Sequence, residues 1–374
     1  MGVTRPNKDP LSLDSGGHLY VRPLGIVHGQ AAKVAINAGR GLPLAGLAAF
    51  TSCQVITRYK EVVQADEVTV EEFVRWQRET GLESDSKLQQ LLVRLGRARA
   101  AIAGASFFKP VITGIVNVTP DSFSDGGEYA TADQAIAHGR GLFRAGAGFI
   151  DVGGESTRPG AECVSAEVEQ KRVIPVIRAL AAEGIPTSID TYHPETMLAA
   201  AANGASIIND VSALTHCVNS ANVAAATDTT VILVHSQNSN VAEHGSMYGR
   251  VAIDIYDYLA QRISAACASG ISCNRIVVDP GLGFAKTSNN NFQVLDWLGL
   301  YHGLGCPIMV GASRKFGRLA PGASPRTRLA GSVATALHAV DQGVQLIRVH
   351  DVAETAQALG VWRAIRETAS QSVI

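Results

Sequence analysis

A chain of 374 residues with 46% apolar side chains has ample material for one large core or for a domain with an appendage, and this composition excludes a disordered chain. Its 32 basic and 33 acidic residues are scattered and nearly cancel to a formal net charge of −1, which excludes an extended surface for nucleic acid or anionic membrane. No apolar run approaches the ~20 residues that span a bilayer, and the opening Met1-Gly2-Val3-Thr4-Arg5-Pro6 fits neither a signal peptide nor a myristoylation site, so the expected setting is cytoplasmic.

Residues 1–17 read as a loose tail. Between His18 and Ser106 apolar stretches at Leu19–Val27 and Phe50–Thr57 are separated by Gly/Pro/Ala-rich turns and followed by two helices. Each helix start has capping-box spacing, Thr69-Val70-Glu71-Glu72 and Ser86-Lys87-Leu88-Gln89, in which side chains satisfy the unpaired amides of the first turn. Leu88, Leu91, Leu92 and Leu95 give the second helix an apolar face that is expected to be buried against either the barrel or another subunit. No chemistry is evident here, and His28 and Cys53 read as structural. The expected division is a small α+β extension over residues 1–106 and a second domain over 107–374.

From Val111 the rhythm becomes regular. Short β-branched runs at 111–116, 148–152, 186–189, 206–208, 230–234, 275–278, 307–310 and 344–349 read as buried parallel strands. Helical patterns follow each, at about 131–145, 165–182, 193–203, 219–227, 250–268, 287–303, 325–341 and 351–369. Eight such alternations predict a (β/α)8 TIM barrel. A doubly wound open sheet is the rival, but no Gly-x-Gly-x-x-Gly follows the first strand. The six cysteines are isolated, with no Cys-x-x-Cys pair, and are expected to be reduced thiols used as small hydrophobes rather than a zinc site or disulfide framework.

Polar residues crown the predicted strands in order: Asn117, Asp151, Asp190, Asn209 with Asp210, His235, Asp279, Ser313 with Lys315, and Arg348 with His350. Groups costly to bury, repeated around one barrel mouth, read as a site. Asp151 and Asp210 are equally readable as turn caps, and His235 reads more readily as a satisfied barrel histidine than as a catalyst. Asp190, Asn209 and Asp279 suit a flat heterocycle rich in N–H donors, because carboxylates accept only and an amide does both. Arg158, Lys315, Arg348 and His350, with Asn117 and Thr157 nearby, suit a phosphate or diphosphate and, through the Asn oxygen, a Mg²⁺.

Seven motifs occur in register at these strand ends: Asn117-Val-Thr-Pro-Asp-Ser-Phe-Ser-Asp-Gly-Gly127, Gly154-Glu-Ser-Thr-Arg-Pro-Gly-Ala161, Ser188-Ile-Asp-Thr191, Ile208-Asn-Asp-Val211, Asp279-Pro-Gly-Leu-Gly-Phe284, Ser313-Arg-Lys315 and Arg348-Val-His-Asp351. Together they closely resemble the dihydropteroate synthase family over roughly residues 111–360. The resemblance implies condensation of 6-hydroxymethyl-7,8-dihydropterin pyrophosphate with p-aminobenzoate, a Mg²⁺ cofactor, small-molecule partners only, a homodimer and membership of the family that sulfonamides target.

By the same resemblance Asp190, Asn209, Asp279 and Lys315 hold the pterin with Phe284 against its ring, and Asn117 helps bind Mg²⁺. Arg158, Arg348 and His350 grip the diphosphate, while Phe123, Asp125, Thr157, Pro159 and Ser313 enclose p-aminobenzoate. Catalysis is assigned to Asp190, Asp279, Lys315 and Asp125. The chain departs from the family pattern at Lys315-Phe316-Gly317, where a residue between Lys and Phe is usual, and at Val234-His235-Ser236, where Met-His-Met is common. Two other readings stand beside this one: a pterin-dependent methyltransferase barrel, and a non-catalytic pterin-binding paralogue whose amino-terminal segment docks a partner.

Overall fold

The β-branched runs and the glycines that follow the helices dictate the architecture of the computed structural model, which describes residues 18–46, 48–60, 62–81, 86–118, 132–155, 163–236, 250–284, 286–311, 313–315 and 324–368. The amino-terminal unit comprises β1 (His18–His28), α1 (Gly29–Asn37), β2 (Leu42–Leu44), β3 (Ala48–Tyr59), β4 (Val62–Thr69), α2 (Val70–Thr80) and α3 (Ser86–Gly96). Its sheet is antiparallel: β1 lies on one side of β3, and β2 and β4 lie on the other. Helix α1 occupies a stretch expected to be turns, and β4 was not anticipated because only its pairing with β3, not an apolar run, holds it.

The second unit alternates strand and helix: β5 (Val111–Asn117), α4 (Ala132–Arg144), β6 (Phe149–Gly153), α5 (Ala166–Ala182), β7 (Thr187–Asp190), α6 (Pro194–Ala202), β8 (Ile207–Asp210), α7 (Ser220–Ala225) and β9 (Thr230–Val234). It continues with α8 (Arg250–Ala268), β10 (Ile276–Asp279), α9 (Ser288–Asp296), β11 (Met309–Val310), α10 (Leu329–Asp341), β12 (Leu346–Val349) and α11 (Val352–Thr368). All eight strands pair in parallel in the order β10-β9-β8-β7-β6-β5-β12-β11, and a bridge between Val278 and Ile308 joins the ends. The result is the expected (β/α)8 barrel. Its interior is filled by Val111, Phe149, Ile207, Ile232, Val277, Met309 and Leu346, with Ile102 from the connecting segment in the same cluster.

One predicted helix is broken. Residues 287–303 form α9 and then a 3-10 segment, Leu298–Leu304. Two glycines in that segment allow close approach: a Cβ at Gly299 would lie 3.0 Å from the Pro23 carbonyl, and one at Gly303 would lie 2.9 Å from Leu91 Cδ1 and Tyr256 Oη. The amino-terminal unit therefore packs against the barrel at near-backbone distance. Around this contact Arg22 donates to the Asp296 carbonyl at 2.7 Å and lies 4.5 Å over the Trp297 ring, Tyr20 reaches Asp257 at 2.9 Å, and Arg58 pairs with Asp254 at 2.6 Å. Buried Arg99 donates to the His302 carbonyl at 3.1 Å, and His302 Nε2 donates to the Gln342 carbonyl at 2.9 Å.

The α2 capping box forms as expected, with Glu72 N on Thr69 Oγ1 and Thr69 N on Glu72; the Ser86 side chain lies outside the described residues. Where the barrel or another subunit was expected, Leu88, Leu91 and Leu95 are buried mainly against Val21, Leu44, Phe50 and Phe73 of their own unit, with Leu91 also meeting the barrel at Gly303. The cysteine expectation needs one correction: Cys267 and Cys273 are joined as a disulfide, their Cα atoms 6.0 Å apart. Gly270, at φ +97°, reverses the chain after α8 and so brings the two together across a separation of six residues. No helix among the described residues is long and apolar enough to cross a membrane.

Leu88 is fully buried at the centre of the amino-terminal core. Leu88→Ala is expected to cost about 2–5 kcal/mol, read as a lowered denaturant midpoint.

Candidate functional site

Polar residues gather at or just beyond the carboxyl ends of the barrel strands, so their side chains share one mouth. Asp151, Asn209 and Asp279 are almost fully buried there, and Asp190 and Arg348 expose only a tenth to a fifth of their side chains.

The best-defined contact is an ion array. Arg348 reaches from β12 across β5, donating from Nε to Asp151 at 2.6 Å and from Nη2 to Asp190 at 2.7 Å. Asn209 Nδ2 donates to Asp151 at 3.2 Å. Since a carboxylate accepts only, this fixes the amide orientation and leaves Asn209 Oδ1 as an acceptor. Among the described residues Asp151 Oδ1, Asp190 Oδ1 and Asn209 Oδ1 are all buried without a hydrogen-bond partner. Burial raises the Asp190 carboxyl to about 7, with Arg348 opposing and Asp151 assisting. Burial likewise raises Asp279, against the Gly281 amide that donates to it at 2.7 Å.

Lys315 stands on the other side of this group. Its ammonium lies 4.9 Å from the centre of the Phe284 ring and donates to the Leu282 carbonyl. Burial lowers it to about 8, with Asp279 pulling the other way. Its neighbour Arg314 is held outward by Asp351 at 2.7 Å and adopts φ +60°, a left-handed conformation that costs a non-glycine residue of order 1–2 kcal/mol. The Ser332 hydroxyl accepts the Arg314 amide at 2.8 Å and so supports this turn. Beside it the Ser313 hydroxyl meets His350 Nδ1 at 3.1 Å and the His350 amide at 3.2 Å.

The predicted residues divide accordingly. Asp190, Asn209, Asp279, Phe284, Ser313, Lys315, Arg348, His350 and Asn117 all occupy strand ends or the turns after them. Phe123, Asp125, Thr157, Arg158 and Pro159 lie outside the described residues, as does Phe316. Arg348 does not stand on a separate cationic rim, as expected for a diphosphate ligand, but sits among the carboxylates, because its long side chain meets two unsatisfied anions at the ends of β6 and β7.

The equal readings of Asp151 and Asp210 now separate. Asp151 belongs to the array, whereas Asp210 caps its own turn through the amides of Ser212 at 2.7 Å and Leu214 at 2.9 Å. His235 is satisfied, as expected of a barrel histidine: Lys286 Nζ donates to its Nδ1 at 3.0 Å and Tyr258 packs edge-on at 4.9 Å. Burial pushes this imidazole down to about 3. Lys286 itself was missed. The signal was a lysine two positions beyond Phe284, in a loop already marked by its glycines.

For a metal, no group of three His, Cys, Asp or Glu side chains among the described residues is arranged as a cage. Asn117 Oδ1 lies 3.5 Å from where a Cβ of Gly153 would stand, beside Asp190, whose Oδ2 is already taken by Arg348, so the Asn117 oxygen is the one a metal would draw on here. This donor set suits a Mg²⁺ that draws most of its oxygens from a phosphorylated substrate and water.

Comparison with known proteins agrees with this geometry. A family profile described as "Pterin binding enzyme" matches residues 113–350. The chain is similar to the dihydropteroate synthase of Bacillus subtilis (strain 168), at 40% identity over 252 residues, 67% of this chain and 86% of that protein. Xanthomonas albilineans dihydropteroate synthase with 4-aminobenzoic acid matches with a TM-score of 0.66 at 44% identity, covering 74% of this chain and 99% of that one. The same organism's enzyme in complex with 7,8-dihydropteroate matches with a TM-score of 0.62 at 38% identity and the same coverage.

An acid whose pKa is raised on folding binds its proton more tightly folded than unfolded. Stability attributable to Asp190 is therefore full below its ordinary value of 3.8 and lost as pH rises towards about 7. The melting temperature of Asp190→Asn, followed over that range without ligand, is expected to fall less steeply with pH than that of the wild type.

Proposed function

The chain belongs to the pterin binding enzyme family, and we propose that it works as a dihydropteroate synthase, a transferase of folate synthesis. It joins 6-hydroxymethyl-7,8-dihydropterin pyrophosphate to p-aminobenzoate and releases 7,8-dihydropteroate and pyrophosphate. The observation that carries this reading is the trio of buried acceptors, Asp151 Oδ1, Asp190 Oδ1 and Asn209 Oδ1. Buried polar atoms require partners, and a dihydropterin offers amino and ring N–H donors on one edge.

In this reading Asp190 and Asn209 accept from that edge, Asp279 completes the carboxylate set, and Lys315 donates to the heterocycle while Phe284 packs on its face. Asp151 holds Arg348 and Asn209 in place. The methylene C–O bond breaks with its electron pair leaving on the diphosphate. The amine nitrogen of p-aminobenzoate then bonds to the methylene carbon, and its surplus proton passes to solvent. Asp190 and Asp279 favour the positive charge on the pterin methylene electrostatically, so no side chain acts as a nucleophile.

His350 and Arg158, with Arg348 where its remaining donor reaches, serve the diphosphate. Phe123, Asp125, Thr157, Pro159 and Ser313 serve p-aminobenzoate. Asn117 is the residue that would hold Mg²⁺, which when bound supplies charge neutralisation to the departing diphosphate. The reading also takes a homodimer, a cytoplasmic setting and the place of a sulfonamide target with it.

Purified protein supplied with both substrates and Mg²⁺ is expected to form dihydropteroate and pyrophosphate in equal amounts. Lys315→Ala is expected to lose turnover by on the order of 100-fold with its melting temperature retained. Pyrophosphate without dihydropteroate, or near-normal turnover in Lys315→Ala, would count against the assignment.

A further inference from the structure

The loop Gly281–Phe284 carries the aromatic face of the site, and two lysines hold its carbonyls from opposite sides. Lys315 takes the Leu282 carbonyl from the mouth. Lys286 takes the Gly281 carbonyl at 2.8 Å and the Phe284 carbonyl at 3.2 Å. The same ammonium reaches the end of β9, at the His235 carbonyl (3.2 Å) and His235 Nδ1 (3.0 Å). Because an ammonium only donates, Nδ1 accepts and the imidazole is neutral with its proton on Nε2.

Alternation of carbonyl direction requires the left-handed φ of +71° at Gly281 and +82° at Gly283. The loop also lies directly on its neighbour: a Cβ at Gly281 would overlap the His235 carbonyl. Three ammonium protons thus face four acceptors from two barrel strands' ends, and the roles assigned above make no use of this lysine.

We infer that Lys286 is a positioning residue: by tying the Gly281 and Phe284 carbonyls to His235 it sets where the Phe284 ring and the Lys315 ammonium meet the pterin. The inference rests on the pterin-binding reading. It makes the effect selective, because the loop faces the heterocycle and not the p-aminobenzoate amine. The charged groups facing Lys286 are Asp279 from β10 and Lys315 from beyond β11, while His235 stays neutral. Burial, with Lys315 adding to it and Asp279 opposing, brings Lys286 down to about 7. The tie weakens as pH rises through that value.

The test compares wild type with Lys286→Met by calorimetric binding of 6-hydroxymethyl-7,8-dihydropterin pyrophosphate and by KM for both substrates. Loss of a charge-assisted tie is expected to weaken pterin binding and raise the pterin KM about tenfold, with the p-aminobenzoate KM within about twofold. Aminoethylation of Lys286→Cys, which rebuilds an ammonium of similar reach, is expected to restore pterin affinity, with treated wild type as the control. Unchanged pterin affinity in the Met variant, an equal loss for both substrates, or no recovery on aminoethylation overturns the inference. Should the Met variant not fold, the Lys286→Cys protein is compared before and after aminoethylation, and equal pterin affinity in the two forms overturns the inference. A wild type that binds no pterin overturns the proposed function and this inference together. A wild type that binds and turns over, beside a Met variant of equal affinity, overturns this inference alone.

Discussion

Two carboxylates sharing one guanidinium set the character of this site. Arg348 is bound by Asp151 and Asp190 at once. With Asp279 and Lys315 added, three buried acids face two cations. Taking charges out of water is expensive, and their mutual attraction offsets that cost only when the remaining lone pairs are satisfied. Here they are not: one oxygen on each of Asp151 and Asp190 has no partner among the described residues. The upward shifts of Asp190 and Asp279 and the downward shift of Lys315 have the same origin, a site too dry for its charges. A ligand that brings N–H donors supplies what the array lacks, so the groups that bind it also contribute little to the stability of the empty barrel.

Around this array the backbone is arranged at some local cost. Arg314 turns through a left-handed conformation so that Ser313 and Lys315 both face the mouth while its own side chain is held away by Asp351. Gly281 and Gly283 allow one loop to give alternate carbonyls to lysines on its two sides. Local strain of this kind persists where surrounding contacts over-determine it, and the Ser332 and Asp351 contacts do so here.

The amino-terminal unit is fastened to the barrel by buried polar contacts as well as by apolar packing. Arg22, Arg58, Arg99 and Tyr20 each reach a group on α8, α9 or the 3-10 segment after it. The matched family span begins at residue 113 and leaves this unit outside it. The paralogue reading drew on this segment as a partner-docking arm, yet much of its polar and apolar surface is already committed to the chain's own barrel. The similarity to dihydropteroate synthases solved with 4-aminobenzoic acid and with 7,8-dihydropteroate favours the synthase over that reading and over the methyltransferase.

Period and punctuation determined the barrel, since a parallel strand buried on both faces reads as a short, largely apolar run, here with polar residues gathered at or near its carboxyl end. The eight strands fall within two residues of their expected bounds, and the residues that crown them follow directly. Local sequence could not determine which side chains meet. Arg348, expected among cations, lies between two carboxylates, Asp151 and Asp210 looked alike until one joined the array and the other capped its turn, and Lys286 was passed over. The placing of Arg348, Asp151 and Lys286 depends on contacts between strands far apart in the chain, whereas Asp210 meets the turn that follows it. A long side chain's partner is chosen by which unsatisfied group lies within its reach, and that distance exists only once the barrel has closed.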